Sequence, residues 1–175
     1  MKIRIPEILE EGLHIVTVRS PEWLVNIPEM ASSQAETHIS SDLNFDLLIT
    51  KEMREILVVG TIAFTLHTAC ARCLADVNIT ISPKVRLILT PKVQFKEDSD
   101  YDSEIDYGSY EGDEIEIDDY LREVVALGLP VKVLCSEDCR GLCPLCGANL
   151  NIGECSCTEK GAYSRFEVLR GLKIS

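Results

Sequence analysis

Positive charge is scarce in this chain of 175 residues, where 17 Lys plus Arg stand against 29 Asp plus Glu for a formal charge of −12. Such a balance repels polyphosphate and argues against strong nonspecific binding to nucleic acid. Long apolar runs are lacking too. The longest nearly apolar stretch, Ile56 to Phe64, falls far short of the ~20 residues that a membrane-spanning helix requires, so no membrane is expected as a partner. The opening MKIRIPEILEEGL interrupts any apolar stretch with Pro6, Glu7, Glu10 and Glu11. No secretory leader is therefore expected, and the cytoplasm, a reducing compartment, is the expected location. No Gly-rich phosphate loop, His-Glu-x-x-His or Gly-x-Ser-x-Gly occurs, which leaves an enzyme and a small-molecule substrate without support. Hydrophobic residues nonetheless make up 46% of the chain, enough to bury a core, and this excludes collagen-like and wholly disordered classes.

The negative charge is concentrated. Residues 97 to 119, EDSDYDSEIDYGSYEGDEIEIDD, hold 12 acidic side chains and no Lys or Arg, so the remaining residues balance at 17 of each sign. A like-charged block is ordinarily a solvated loop. Tyr101, Ile105, Tyr107 and Tyr110 are interspersed in it, however, and give it apolar bodies that can dock, with a basic protein as the fitting partner.

Periodicity outlines a β-rich domain. Ile3 and Ile5 alternate with Lys2 and Arg4 in a short strand limited by Pro6, and Ser20-Pro21-Glu22 signals a short helix through Trp23-Leu24-Val25. Leu43, Phe45, Leu47 and Ile49 recur with period two, as do Ile56, Val58, Ile62, Phe64 and Leu66. Val77, Ile79, Ile81, Val85, Leu87 and Leu89 outline a third strand, so a three-stranded antiparallel meander is expected. Ile115-Glu116-Ile117 reads as another strand, followed by a helix capped by Asp118 or Asp119 and ending near Gly128. The expected fold class is α+β, mainly antiparallel sheet with one or two helices and a zinc-stapled C-terminal module. Residues 1–134 form the core domain with an acidic loop at 97–114, and residues 135–175 form the Cys-rich module and tail packed on that core.

The chemistry lies in eight cysteines arranged as four close pairs: Cys70 with Cys73, Cys135 with Cys139, Cys143 with Cys146, and Cys155 with Cys157. Eight is two tetrahedral sets of four. A Cys-x-x-Cys turn brings both thiolates within about 2.3 Å of one zinc ion, and four soft ligands close a structural site. Gly147 after Cys146 suits a turn whose backbone amides face the sulfurs, since such turns often need positive φ. All eight cysteines are thus candidate ligands for Zn2+, two ions per chain. Disulfides fit poorly without a secretory leader. A thioredoxin-like pair at Cys70 and Cys73 lacks the parallel βαβ setting, although a thiol redox or redox-sensing protein is the alternative from a different class, beside a general zinc-stabilised interaction module.

If close pairs stay together, local closure favours Cys143, Cys146, Cys155 and Cys157 on one ion and Cys70, Cys73, Cys135 and Cys139 on the other. The competing arrangement joins Cys135, Cys139, Cys143 and Cys146, leaving Cys70 and Cys73 to meet Cys155 and Cys157. His67, three residues before Cys70, is a conceivable substitute ligand but more commonly such a residue is simply a strand histidine. His14 and His38 have no obvious acidic or nucleophilic neighbours in the sequence.

The order Cys70-x-Arg72-Cys73-Leu74, an acidic stretch, a helix, then Cys135-x-x-x-Cys139-x-Gly141-Leu142-Cys143-Pro144-x-Cys146-Gly147-x-Asn149-Leu150-Asn151 and Cys155-x-Cys157 resembles the YceD-like family of large ribosomal RNA subunit accumulation proteins. The resemblance covers roughly residues 40 to 170. It departs in the tail, where Ser164-Arg165-Phe166 stands in place of Asp-Pro-Arg. The resemblance implies a small bacterial or plastid protein, without known catalytic activity, that is needed for normal accumulation of 23S ribosomal RNA. Its partner would be a ribosomal protein or an assembling large-subunit particle. Direct contact with rRNA would need a local basic patch, for which Arg72, Lys132, Arg140, Arg165, Arg170 and Lys173 are the candidates. The acidic block offers a protein-mediated route instead.

Overall fold

The computed structural model describes residues 1–24, 30, 36–93 and 105–157. Nine strands and one α-helix are formed among them: β1 (Lys2–Arg4), β2 (Leu13–Arg19), β3 (His38–Ile39), β4 (Leu43–Glu52), β5 (Glu55–Ala69), β6 (Asp76–Ile81), β7 (Lys84–Pro91), β8 (Asp106–Tyr110), β9 (Glu114–Glu116) and α1 (Asp118–Leu127). The main sheet runs β2-β4-β5-β7-β8, with β3 and β6 pairing β5 beyond that path, while β1 and β9 form a separate ribbon. No helix among the described residues is long and apolar enough to cross a membrane.

Strand β4 is the clearest product of its sequence. Leu43, Phe45, Leu47 and Ile49 are buried on one face, and Asn44, Asp46 and Leu48 point out. Directly after it, β5 buries Ile56, Val58, Ile62, Phe64 and Leu66. These side chains join Val85, Leu87, Ile3, Ile115, Leu121 and Val125 in one core, and each contributes roughly 1.5–3 kcal/mol by leaving water. Gly60 lies mid-way along β5, where a Cβ would stand 2.0 Å from the Asp46 carbonyl oxygen. Only glycine permits that approach of β4 and β5.

Three expectations need correction. The apolar pattern from Val77 to Leu89 is two strands, because Ser82-Pro83 breaks it and the Pro83 carbonyl instead accepts from the Ile62 amide at 3.1 Å. Both halves pair antiparallel with β5, β6 at its C-terminal part and β7 at its N-terminal part. The sheet is also mixed, since β8 pairs parallel with β7. The middle of the acidic block therefore contributes a strand, Asp106–Tyr110, and the Tyr110 hydroxyl donates to the Arg54 carbonyl at 2.7 Å. Residues 97–104 of that block lie outside the described residues. Finally, Pro21–Trp23 is a 3-10 turn, and its continuation into Val25 lies outside the described residues.

Helix α1 starts and stops where its sequence places it, although Ile117 occupies the N-cap position and makes no side-chain cap. Asp118 and Asp119 lie inside the first turn, where negative charge opposes the positive end of the helix dipole. Strands β2 and β3 have no clear signal in the sequence pattern. Strand β2 is an edge strand with its inward residues only half-buried, so its alternation is weak.

Candidate metal centre

The long strand β5 ends in Ala69, which pairs with Asp76 of β6, and the connection between them is Cys70-Ala71-Arg72-Cys73-Leu74-Ala75. The Cys70 amide donates to the Ala75 carbonyl at 2.8 Å and the Leu74 amide to the Cys70 carbonyl at 3.0 Å. That turn requires Leu74 in the left-handed region, with φ 59°. The backbone between Cys143 and Ala148 repeats it. Cys143 donates to Ala148 at 2.8 Å, Gly147 donates to Cys143 at 2.9 Å, and Gly147 has φ 74°. The two Cys-x-x-Cys turns thus share one geometry, with glycine at the strained position in one and leucine in the other.

The sulfurs group as Cys70, Cys73, Cys135 and Cys139, here called the proximal cluster, and as Cys143, Cys146, Cys155 and Cys157, the distal cluster; within each, all ligand atoms lie within 4.8 Å of one another. This is the grouping that loop entropy favours. In the proximal cluster, Sγ of Cys70 is 3.8 Å from Sγ of Cys139, and that of Cys73 is 3.6 Å from that of Cys135. A disulfide would bring the atoms to about 2.05 Å. Four sulfurs placed tetrahedrally at about 2.3 Å from a metal are separated by about 3.8 Å, so the donor set and its spacing fit a four-coordinate ion.

The proximal cluster is the buried one. Cys70, Cys73 and Cys139 are nearly inaccessible and pack with Val77, Leu134 and Leu142, whereas in the distal cluster Cys143 alone is buried. Segment 133–139 is tied to the β5–β6 turn by backbone and side chain: the Ala71 amide donates to the Val133 carbonyl at 2.9 Å, and Arg72 Nη1 donates to the carbonyls of Cys139 at 2.7 Å and Glu137 at 3.3 Å. Arg72 is therefore a brace for the cysteine loop, a different use from the RNA contact considered above.

Backbone and side-chain amides tune the thiols. Arg72 N–H faces the Cys70 sulfur at 3.4 Å and, with further amides, brings its pKa down to about 6 despite burial. Cys143 is likewise lowered to about 6 by the Cys146 and Leu145 amides. Burial works against ionisation of Cys139, yet the Asn151 side-chain amide and the Gly141 N–H outweigh it and lower its pKa. The opposite members rise: Cys135 is pushed up to about 12 by the neighbouring Cys139 and Cys73 sulfurs, and Cys157 to about 12 by Cys146 and burial. Four thiolates crowded without a cation repel one another, and a divalent ion removes that penalty.

Residues 58–173, well over half of the chain, match the family model described as large ribosomal RNA subunit accumulation protein YceD. The chain belongs to the YceD family. Among curated proteins, an uncharacterized protein of Mycobacterium bovis is 31% identical over 110 residues, covering 62% of this chain and 51% of its own. An uncharacterized protein of Mycobacterium leprae is 24% identical over 147 residues, 83% of this chain and 58% of that one. A chloroplastic protein of Arabidopsis thaliana, named large ribosomal RNA subunit accumulation protein YCED homolog 1, is 33% identical over 60 residues, 34% of this chain and 19% of that one. The chain spans about half the length of the first mycobacterial relatives it matches. No solved structure matches.

The histidines stay outside both clusters. His67 Nδ1 is 3.0 Å from Asn78 Oδ1, and its ring lies 4.9 Å from that of His38, its cross-strand partner. His14 does have an acidic neighbour, Asp46 Oδ1 at 2.6 Å from its Nε2. Sequence reading missed it because the pair meets diagonally across β2 and β4, where His14 is registered with Leu48 and Val16 with Asp46. Lys132 and Arg140 are exposed beside the cysteines, while Arg165, Arg170 and Lys173 lie outside the described residues.

Proposed function

We propose that this chain is a non-enzymatic factor that supports 23S rRNA accumulation and biogenesis of the large ribosomal subunit, stapled by two structural Zn2+ sites. Cys70, Cys73, Cys135 and Cys139 would hold one ion and Cys143, Cys146, Cys155 and Cys157 the other. The observation that carries the structural half is the pair of complete four-sulfur sets. With four thiolates the ion supplies cross-linking and charge compensation, and no position remains for a reactive water. Family membership and the name borne by the plant relatives support the ribosomal half.

In this reading the cytoplasm is the place of action, and the partner is a basic ribosomal protein or an assembling large-subunit particle engaged through the acidic block. Burial of Cys70 and Cys73 disfavours the thiol-redox alternative, which needs an accessible sulfur. The test is affinity capture of the tagged chain at low and moderate salt, beside a variant lacking residues 97–104, a deletion that stops short of β8. Recovery of precursor 23S RNA or large-subunit proteins is expected, with proteins lost from the deletion. Recovery of neither would reject the ribosomal role.

A further inference from the structure

Segment 139–151 belongs to both clusters. It begins with Cys139 of the proximal set, carries Cys143 and Cys146 of the distal set, and ends on Asn151. Leu142 and Gly141 fold it onto the proximal turn, and contacts within the segment hold its shape. The Leu142 amide donates to the Arg72 carbonyl at 3.2 Å, and the Leu142 side chain packs against the proximal cysteines. Gly141, at φ 75°, passes so close that a Cβ would stand 3.0 Å from the Arg72 carbonyl oxygen. The Leu150 amide returns to the Gly141 carbonyl at 2.9 Å, and Leu142 bridges Asn149. Asn151 closes the frame, its Oδ1 accepting from the Arg140 amide at 2.7 Å and its Nδ2 donating to the Cys139 sulfur at 3.4 Å.

Asn151 thus reaches a proximal sulfur from within the distal loop, four residues before Cys155. Its own amide is held by the Asn149 side chain, 2.9 Å away. Closing Cys143, Cys146, Cys155 and Cys157 round an ion pins both ends of the stretch that presents Asn151. A sulfur bound to metal carries negative charge and is the better acceptor for that N–H. On these grounds, and resting on the metal-binding reading above, we infer that the two clusters form one cooperative metal unit in which Asn151 is a positioning residue for the proximal site. Filling the distal site raises proximal affinity, and linkage requires the reverse effect to be equal.

The experiment measures Zn2+ affinity by chelator competition under reducing conditions, with native mass spectrometry counting bound ions. Six versions of the whole chain are compared: wild type, proximal-only Cys155→Ser/Cys157→Ser, distal-only Cys70→Ser/Cys73→Ser, and each of these three carrying Asn151→Ala. In wild type the two-ion affinity is expected to exceed the product of the single-site affinities by about tenfold, the size of effect usual for groups that support metal ligands. With Asn151→Ala the excess falls to unity. Distal-only protein keeps one ion and protects Cys143, Cys146, Cys155 and Cys157 from alkylation. Equality of product and two-ion affinity in wild type would overturn the coupling, and an excess that survives Asn151→Ala would overturn its assignment to Asn151. Wild-type protein that binds no Zn2+ would instead reject the metal reading itself.

Discussion

Leu74 carries a backbone conformation that glycine would adopt without strain. Its φ of 59° places Cβ close to the following carbonyl oxygen, at roughly 1–2 kcal/mol, and its side chain is two-thirds exposed, so little burial offsets that strain. Gly147 occupies the equivalent position of the distal turn, and the space where a Cβ would stand is open, so φ alone sets the cost of a side chain there. Opposite changes are therefore expected to have opposite signs. Leu74→Gly should raise stability by up to about 1 kcal/mol, since the greater freedom of glycine in the unfolded chain takes back part of the gain. Gly147→Ala should lower it by about 1 kcal/mol. Urea denaturation of the metal-loaded proteins measures both, and shifts of the same sign would contradict the shared turn geometry.

At the scale of elements, Tyr120 joins α1 to the edge of the sheet. Its hydroxyl donates to Asp106 Oδ2 at 2.8 Å and accepts from the Arg86 amide at 3.4 Å. Burial, then the Asp106 carboxylate, push its pKa above the ordinary tyrosine range. The folded protein therefore keeps the phenolic proton at a pH where the unfolded chain, titrating near 10, has released it. Since the native state then binds more protons than the unfolded state, this contribution is complete below pH of about 10 and is lost as pH rises beyond it. Tyr120→Phe should be less stable than wild type at pH 8, and the gap should narrow by pH 10.5. Denaturation curves at the two pH values decide it; a constant gap would remove the linkage. The same contact explains why β8 lies where it does, because Asp106 is the first residue registered with β7.

For the molecule as a whole, the main core and the cysteine clusters are separate bodies of packing. The sheet buries its residues with α1, β1 and β9, whereas Cys70, Cys73 and Cys139 pack with Val77, Leu134 and Leu142. Segment 135–157 contains no strand or helix, so its order depends on turn hydrogen bonds and the sulfur clusters. Removing metal with a strong chelator should leave the β-sheet circular dichroism nearly unchanged. Proteolysis should become rapid within 135–157, and the cysteines should become reactive toward alkylating reagents. Collapse of the sheet signal on chelation would show that the clusters support the core itself.

Much of this could be read along the chain because the relevant physics is local. Alternation in Leu43–Ile49 and Ile56–Leu66 shows which side chains turn inward, Gly128 marks the end of α1, and the cysteine spacings give two Cys-x-x-Cys turns and their short partners. Loop entropy even ranked the pairing of the clusters. Tertiary structure decided the rest: the parallel union of β7 and β8, the split at Pro83, the diagonal meeting of His14 and Asp46, and the use of Arg72 as a brace. It also gave the string from Gly141 to Asn151 its physical meaning, a strap whose carbonyls, amides and one asparagine connect two sulfur clusters. Periodicity and turn chemistry depend on neighbours a few residues away. Contacts between groups tens of residues apart depend on strand order and register, which only the packing of the whole chain selects.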